Sequence, residues 1–184
     1  NGPVCMPEGA EPAYADLDEP DSLCDAFSDA DVVYHTAGLV AIGLGGRKKL
    51  HRVNVEGTRN VIDACLRTRV RRLVYVSSIE ALDLLAGRYP ITENTPIYPD
   101  HTLMPYGRSK ALATLEVEAA VRERGLDAVT VIPTGFIGPY DHKLSPMTSM
   151  VQDFLVGRIP AGLVGGFDFV DIRDVAIGAV AAAE

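Results

Sequence analysis

Several protein classes are excluded by what this sequence has little of. There are three cysteines, Cys5, Cys24 and Cys65, with no CxxC pair. Their spacing makes no metal clip, and an odd count fits reduced thiols better than a disulfide framework. The histidines, His35, His51, His101 and His142, are scattered without ligand spacing, so no metal site is expected. No apolar run approaches the roughly 18 residues of a membrane span. No stretch reads as a secretory leader and no N-x-S/T acceptor occurs, so the expectation is a cytoplasmic protein. Basic charge is also scarce: 17 Lys and Arg stand against 25 Asp and Glu, a net charge of −8. That balance argues against a nucleic-acid partner or an anionic membrane surface. A GxSxG elbow is missing, which disfavours an α/β-hydrolase.

What is present is an alternation. The chain of 184 residues suffices for one domain with a proper core. Residues 1–20 read as loop with at most a short strand near Tyr14. "DSLCDAFSDA" predicts a short helix capped by Asp21, with Leu23, Ala26 and Phe27 on one face. "DVVYHTAG" and "RRLVYVSS" are compact β-rich runs, as buried parallel strands are. Between them "KKLHRVNVEGTRNVIDACLRT" has helical spacing. Residues 83–104 are proline-rich loop. A helix opens at Pro105 and stops at Gly125. "DAVTVIP" is a third strand, closed by Pro133. "SPMTSMVQDFLVGR" is a helix stopped at Gly157. "FDFVDIRDVAIGAVAAAE" starts as a short strand or loop and becomes a helix capped by Asp171 or Asp174. Strands alternating with helices mean βαβ units and a parallel sheet covered on both faces. The chain stops on an uncapped helix, so further sequence is expected beyond it.

The chemistry centres on "PYGRSKALATLEVE". Tyr106 and Lys110 stand four residues apart and share a helix face. A free phenol has a pKa near 10, and a nearby ammonium favours the phenolate. A drop of ~3 units needs ~4 kcal/mol and would give a group able to exchange a proton with an alcohol or carbonyl oxygen. By itself the pair also fits an inert surface contact. Ser77 and Ser78 close the second strand, where open parallel sheets place their ligands. There a hydroxyl can meet a substrate oxygen or simply cap the next turn. His35, at the end of a strand, reads as a core or pocket residue.

Taken together, "ADLDEPDSL", "DVVYHTAG", "NVEGTRNVIDAC", "LVYVSSIEAL", "YGRSK", "VIPTGFIGP" and "FDFVDIRDVA" resemble, in order, segments of the extended short-chain dehydrogenase/reductase family. That family includes nucleotide-sugar epimerases, dehydratases and dihydroflavonol-reductase-like enzymes. The resemblance implies a Rossmann-type doubly wound α/β domain over residues 1–184, incomplete at both ends, binding NAD or NADP and a small-molecule substrate. It implies Tyr106 as the acid/base and Lys110 as the group that lowers its pKa and holds the nicotinamide ribose. Ser78 would orient the substrate oxygen, with Ser77 its neighbour beside the cofactor, and Asn54 would join the lysine network. Asp16 and Leu17 would touch the adenine. Ala37 and Gly38 would line the path from pyrophosphate to ribose. Pro133, Thr134 and Phe136 would pack by the nicotinamide, although for Phe136 a plain core position fits as well. A homodimer through the helices at 48–69 and 105–124 is implied by the same analogy.

The sequence departs from the family at one main place. The glycine-rich phosphate loop should precede "ADLDEP" and is not there, so the first βαβ unit, some thirty residues or more, is missing from the sequence. "GLGGRKK" from Gly43 follows the wrong strand, carries Lys48 where a third glycine belongs and lacks GK[ST]; it is expected to be a flexible loop with solvated Arg47, Lys48 and Lys49. A chain truly lacking the phosphate loop should hold a dinucleotide weakly. Ile132 replaces the arginine common in sugar epimerases, and Ile79 breaks the acidic pair of dehydratases, although Glu80 is kept. These substitutions favour carbonyl/alcohol oxidoreduction. A nucleotide-sugar epimerase or dehydratase is the second reading, and a non-catalytic dinucleotide sensor on the same fold is a third.

Overall fold

A computed structural model describes residues 6–40, 46–85, 90–102, 104–142, 144–162 and 164–184. Cys5, Gly43 and Gly45 lie outside them. The elements run α1 (Pro20–Phe27), β1 (Val32–His35), α2 (Arg47–Leu50), α3 (Gly57–Thr68), β2 (Arg72–Val76), α4 (Pro105–Arg124), β3 (Ala128–Val131), β4 (Gly135–Ile137), α5 (Pro146–Leu155), β5 (Phe169–Asp171) and α6 (Ile172–Ala181).

β1, β2 and β3 form a parallel sheet in that order, with Val33 opposite Leu73 and Leu73 opposite Ala128. Parallel strands need crossovers, and the helices between them supply these. The pleat then sorts side chains by face. Leu73 and Tyr75 point with Val33 into a core built with Leu23 of α1, Val61, Ile62 and Cys65 of α3, and Val117 of α4. Val74 points the other way, against Ala179 and Ala183 at the α6 end. The sheet is therefore covered on both faces, and the expected α/β architecture is present. β4 and β5 form a second, two-stranded parallel sheet.

Local details differ from the sequence reading. No strand forms near Tyr14, whose side chain stands in solvent. α1 starts two residues earlier than expected: Glu19, not Asp21, is its N-cap, Pro20 takes the first turn, and Asp21 lies inside the helix. Proline suits that place because its missing N–H would have had no partner. Arg47, Lys48 and Lys49 are exposed as expected, but they form α2 rather than loop. Between α2 and α3 the helix widens to a π-helical stretch, His51–Glu56. Asp171, not Asp174, caps α6, its carboxylate accepting from the Arg173 N–H at 2.8 Å. α4 ends as expected at Gly125, which takes the left-handed conformation (φ 69°) that a side chain would resist.

Candidate active site

The site gathers where the three strands end. β1 ends at His35 and leads to Ala37 and Gly38, both exposed. β2 ends at Val76, followed by buried Ser77 and half-buried Ser78. Beyond β3 the chain passes buried Pro133, whose carbonyl accepts from the Ile79 N–H at 2.9 Å. That bond ties the turn after β2 to the end of β3. α4 starts beside this turn, with Tyr106 and Lys110 in its first two turns.

Each polar side chain is held. The Lys110 ammonium is buried and donates to the Val76 carbonyl at 2.7 Å. It also lies over the Tyr75 ring, 4.7 Å from its centre. An ammonium has three N–H donors; among the described residues only Val76 receives one. Burial pulls the Lys110 pKa down to about 8. Asn54, in the π-helical stretch, accepts from the Leu39 N–H at 2.7 Å. Its amide donates to the Leu39 carbonyl at 3.0 Å and to Ser109 Oγ at 2.9 Å. Ser109 in turn donates to the Tyr106 carbonyl at 2.7 Å. Asn54 thus clamps the turn after β1 to the first turn of α4. Gly38 lies in the same corner: a Cβ there would stand 3.5 Å from Asn54 Oδ1 and 3.9 Å from Lys110 Nζ.

Ser78 caps a 3-10 turn, Ile79–Ala81, by accepting from the Glu80 N–H at 3.3 Å. Its hydroxyl also acts on Tyr106 and lowers the phenol's pKa. Burial is the larger influence and raises that pKa above its ordinary value, and the nearby Glu80 carboxylate raises it further. The net direction is opposite to the lowering expected from the ammonium four residues on: desolvation of the phenol outweighs what favours the phenolate. Glu80 is itself half-buried, and desolvation raises its pKa.

Beneath the site runs a layer of buried polar groups, of which the sequence reading named Ser77 and His35, the latter as a core or pocket residue, but missed Thr58, Tyr75 and Thr114. Ser77 shares a 2.6 Å hydrogen bond with Thr114. His35 Nε2 meets Thr58 Oγ1 at 3.0 Å, and Thr58 donates to the Asn54 carbonyl at 2.6 Å. Tyr75 is fully buried; its hydroxyl lies near those of Thr58, Thr114 and Ser77, but none offers it a well-formed hydrogen bond. Burial and the Lys110 charge bring the His35 pKa down to about 4, so His35 is neutral, as a buried histidine should be. The one sequence signal was spacing: Ser109 lies inside the Tyr-x-x-x-Lys interval, and Thr114 lies four residues after Lys110.

The remaining expected cofactor contacts separate into groups. Asp16 and Leu17 are half-buried near the start of α3, where Asn60 donates to the Leu17 carbonyl at 2.7 Å and Gly57 leaves room for the Leu17 side chain. Thr134 lines a groove with Ile79, next to Ser78. Phe136 does not: it lines a different groove with Ile137, Tyr140 and Ile172, and at 48% exposure it is not a core residue either. Among the described residues no cluster of potential metal ligands occurs and no helix is long and apolar enough to cross a membrane.

Comparison with known proteins follows the same lines. The family model for the NAD dependent epimerase/dehydratase family matches residues 4–184. Sterol demethylase protein B of Methylococcus capsulatus is 38% identical over 167 residues, covering 90% of this chain and 50% of that protein. The 3 beta-hydroxysteroid dehydrogenase type 7 of Mus musculus is 41% identical over 132 residues, covering 67% of this chain and 36% of that protein. Among solved structures, gox2253 superposes with a TM-score of 0.84 at 34% identity, covering 91% of this chain and 51% of that one. The dTDP-glucose 4,6-dehydratase DesIV of Streptomyces venezuelae, with NAD and TYD bound, gives 0.75 at 25% identity, covering 92% and 53%. The chain spans half or less of the length of these curated relatives.

Proposed function

The chain belongs to the NAD-dependent epimerase/dehydratase family, and from that premise we propose that it is an NAD(P)-dependent oxidoreductase interconverting a carbonyl and an alcohol on a small organic substrate. The observation that carries this reading is Ser78 standing beside Tyr106 at the carboxyl end of the sheet, with Lys110, one turn further along α4, pinned to Val76. Bound NAD or NADP would supply the hydride acceptor or donor. The two unused N–H groups of Lys110 and the open corner at Gly38 suit a ribose diol, and Asn54 keeps that corner in place. Ala37 and Ser77 extend it, Asp16 and Leu17 would meet the adenine, and Pro133 and Thr134 the nicotinamide. Phe136 has the weakest claim among these, given its separate groove.

Ser78 holds the substrate oxygen. Tyr106, protonated at neutral pH, donates its proton to that oxygen when a carbonyl is reduced. Alcohol oxidation runs the proton back and needs the phenolate. The test is Tyr106→Phe: turnover should fall about 10²- to 10⁴-fold, while NADH binding followed by fluorescence stays unchanged. Undiminished turnover would remove Tyr106 from the chemistry.

A nucleotide-sugar epimerase or dehydratase is the second reading, favoured by one observation, the acidic Glu80 beside Tyr106. Retention of Ser78, Tyr106 and Lys110 together speaks for catalysis over a sensing role. We also carry forward a cytoplasmic location and a homodimer through the helices at 48–69 and 105–124. Leu115 and Val121, apolar and partly exposed on α4, support the dimer, and sedimentation velocity tests it.

A further inference from the structure

We propose that the substrate side of this site selects an uncharged, largely apolar alcohol or ketone, with a ring system or alkyl body, rather than a nucleotide-linked sugar. The position of the reacting oxygen is taken from the oxidoreductase reading; the character of the pocket is not.

Two grooves adjoin the proton-transfer pair. The larger, about 470 Å³, is lined by Ile79, Leu84, Pro90, Ile91 and Phe167 among others, and Ile79 follows Ser78 directly. The smaller, about 220 Å³, is lined by Leu82, Leu85, Met104 and Gly107, and Gly107 follows Tyr106 directly. Leu84 and Phe167 line both, so the two grooves share one apolar ridge. Leu85 and Phe167 remain more than half exposed there, a cost that a ligand-binding surface explains.

The ridge is built, not incidental. The Phe167 ring packs against Phe169 with centroids 5.4 Å apart. It also lies over Gly135, where a Cβ would come within 2.5 Å of the ring's Cε1. Any side chain at 135 would push the ring out of the groove.

The charge around the grooves has the wrong sign for a diphosphate. Among the described residues lining them there is no lysine or arginine, whereas Glu80 and Asp168 are acidic. A nucleotide sugar would bring negative charge against those carboxylates. Two arginines, Arg47 and Arg108, line a smaller groove on the far side of Thr102 and Met104, and Arg108 already donates to Asp100 at 2.7 Å. A neutral apolar body has no such conflict and gains from each methylene it takes out of water.

The test is calorimetric titration of the chain without cofactor, using 4-alkylcyclohexanols from methyl to butyl and, separately, UDP-glucose. Affinity should rise roughly fourfold per added methylene, and UDP-glucose should bind more weakly than the butyl compound. Phe167→Ala should weaken the butyl compound about tenfold and the methyl compound much less; Phe167 is a surface residue, so folding is not at issue. Leu84→Ala should flatten the series in the same way. Tighter binding of UDP-glucose, a series flat with chain length, or indifference to both substitutions would overturn the proposal. Because the titration needs no hydride transfer, its result is independent of Tyr106→Phe, which tests the oxidoreductase reading alone.

Discussion

Lys110 Nζ donates to the Val76 carbonyl at 2.7 Å, which fixes a charged group from α4 to the last residue of the central strand. The ammonium is buried and its pKa sits near 8, so at neutral pH the fold carries a charge that its surroundings disfavour. Such an arrangement is kept for function and works against stability. Lys110→Met should therefore raise stability at pH 7 by up to about 3 kcal/mol, less what the lost Val76 bond contributed, while turnover falls at least about 100-fold. Denaturant unfolding and steady-state kinetics on the same samples check both parts.

The pH dependence of stability follows from two depressed basic groups. Lys110 has a folded pKa near 8 against an ordinary value of 10.5. Between those values the unfolded chain binds more protons, so this group's contribution to stability should rise with pH. His35 behaves the same way at lower pH: neutral in the fold down to about 4, it takes a proton in the unfolded chain at about 6.5. Stability should fall by about 3 kcal/mol as pH drops from 6.5 to 4. Thermal unfolding across that range should show the loss in the parent and a flatter profile in His35→Gln.

The pH dependence of turnover should be opposite in the two directions. Tyr106 is held above its ordinary pKa by burial and by Glu80. Carbonyl reduction, which needs the phenol, should therefore be sustained through neutral pH. Alcohol oxidation, which needs the phenolate, should keep rising into the alkaline range. Glu80→Gln removes the carboxylate and should move the alkaline limb of oxidation to lower pH; an unmoved limb would show that Glu80 does not act on Tyr106.

Asn54→Ala should be costly despite its distance from the reacting oxygen. It strands both backbone groups of Leu39, which now bond to the Asn54 amide. The expected loss is about 2–3 kcal/mol, read by urea unfolding, together with weaker NADH binding. A variant that keeps parental stability would mean that the turn after β1 has another anchor.

Gly107→Ala probes the approach of α4 to the serine turn. A Cβ at 107 would sit 2.7 Å from the Glu80 carbonyl oxygen, and that oxygen is backbone with little freedom to yield. The Ile79–Ala81 turn or the start of α4 must shift, at about 1–3 kcal/mol. Because Ser78 caps that turn, kcat should fall more than tenfold in a protein that remains folded by circular dichroism.

How much of this was legible in the sequence depends on the range of the interaction. Strands such as "DVVYHTAG" and "RRLVYVSS" were readable because a two-sided parallel strand must be apolar along its length. The length of α4 was readable because Pro105 and Gly125 mark its ends. The Tyr106–Lys110 pair could be placed on one face, but the direction of the Tyr106 pKa could not. It depends on burial and on Glu80, which only the folded chain brings near. β4 was not seen because three residues, Gly135–Ile137, carry no period, and its partner Phe169–Asp171 lies over thirty residues away. Asp21 was mistaken for a cap because the preference for a carboxylate there competed with a proline that fits the first turn equally well.

The widened stretch at His51–Glu56 has a consequence for how this chain tolerates change in length. A π-helical turn amounts to one residue more than an α-helix needs, so everything after it is rotated by about a quarter turn relative to everything before. Leu50 upstream and Val61, Ile62 and Cys65 downstream are all buried with that offset in place. Deleting one residue between 51 and 56 would give a more regular helix and a worse protein. The two halves of the helix would then compete for a single alignment, and whichever half lost would turn its apolar stripe towards water.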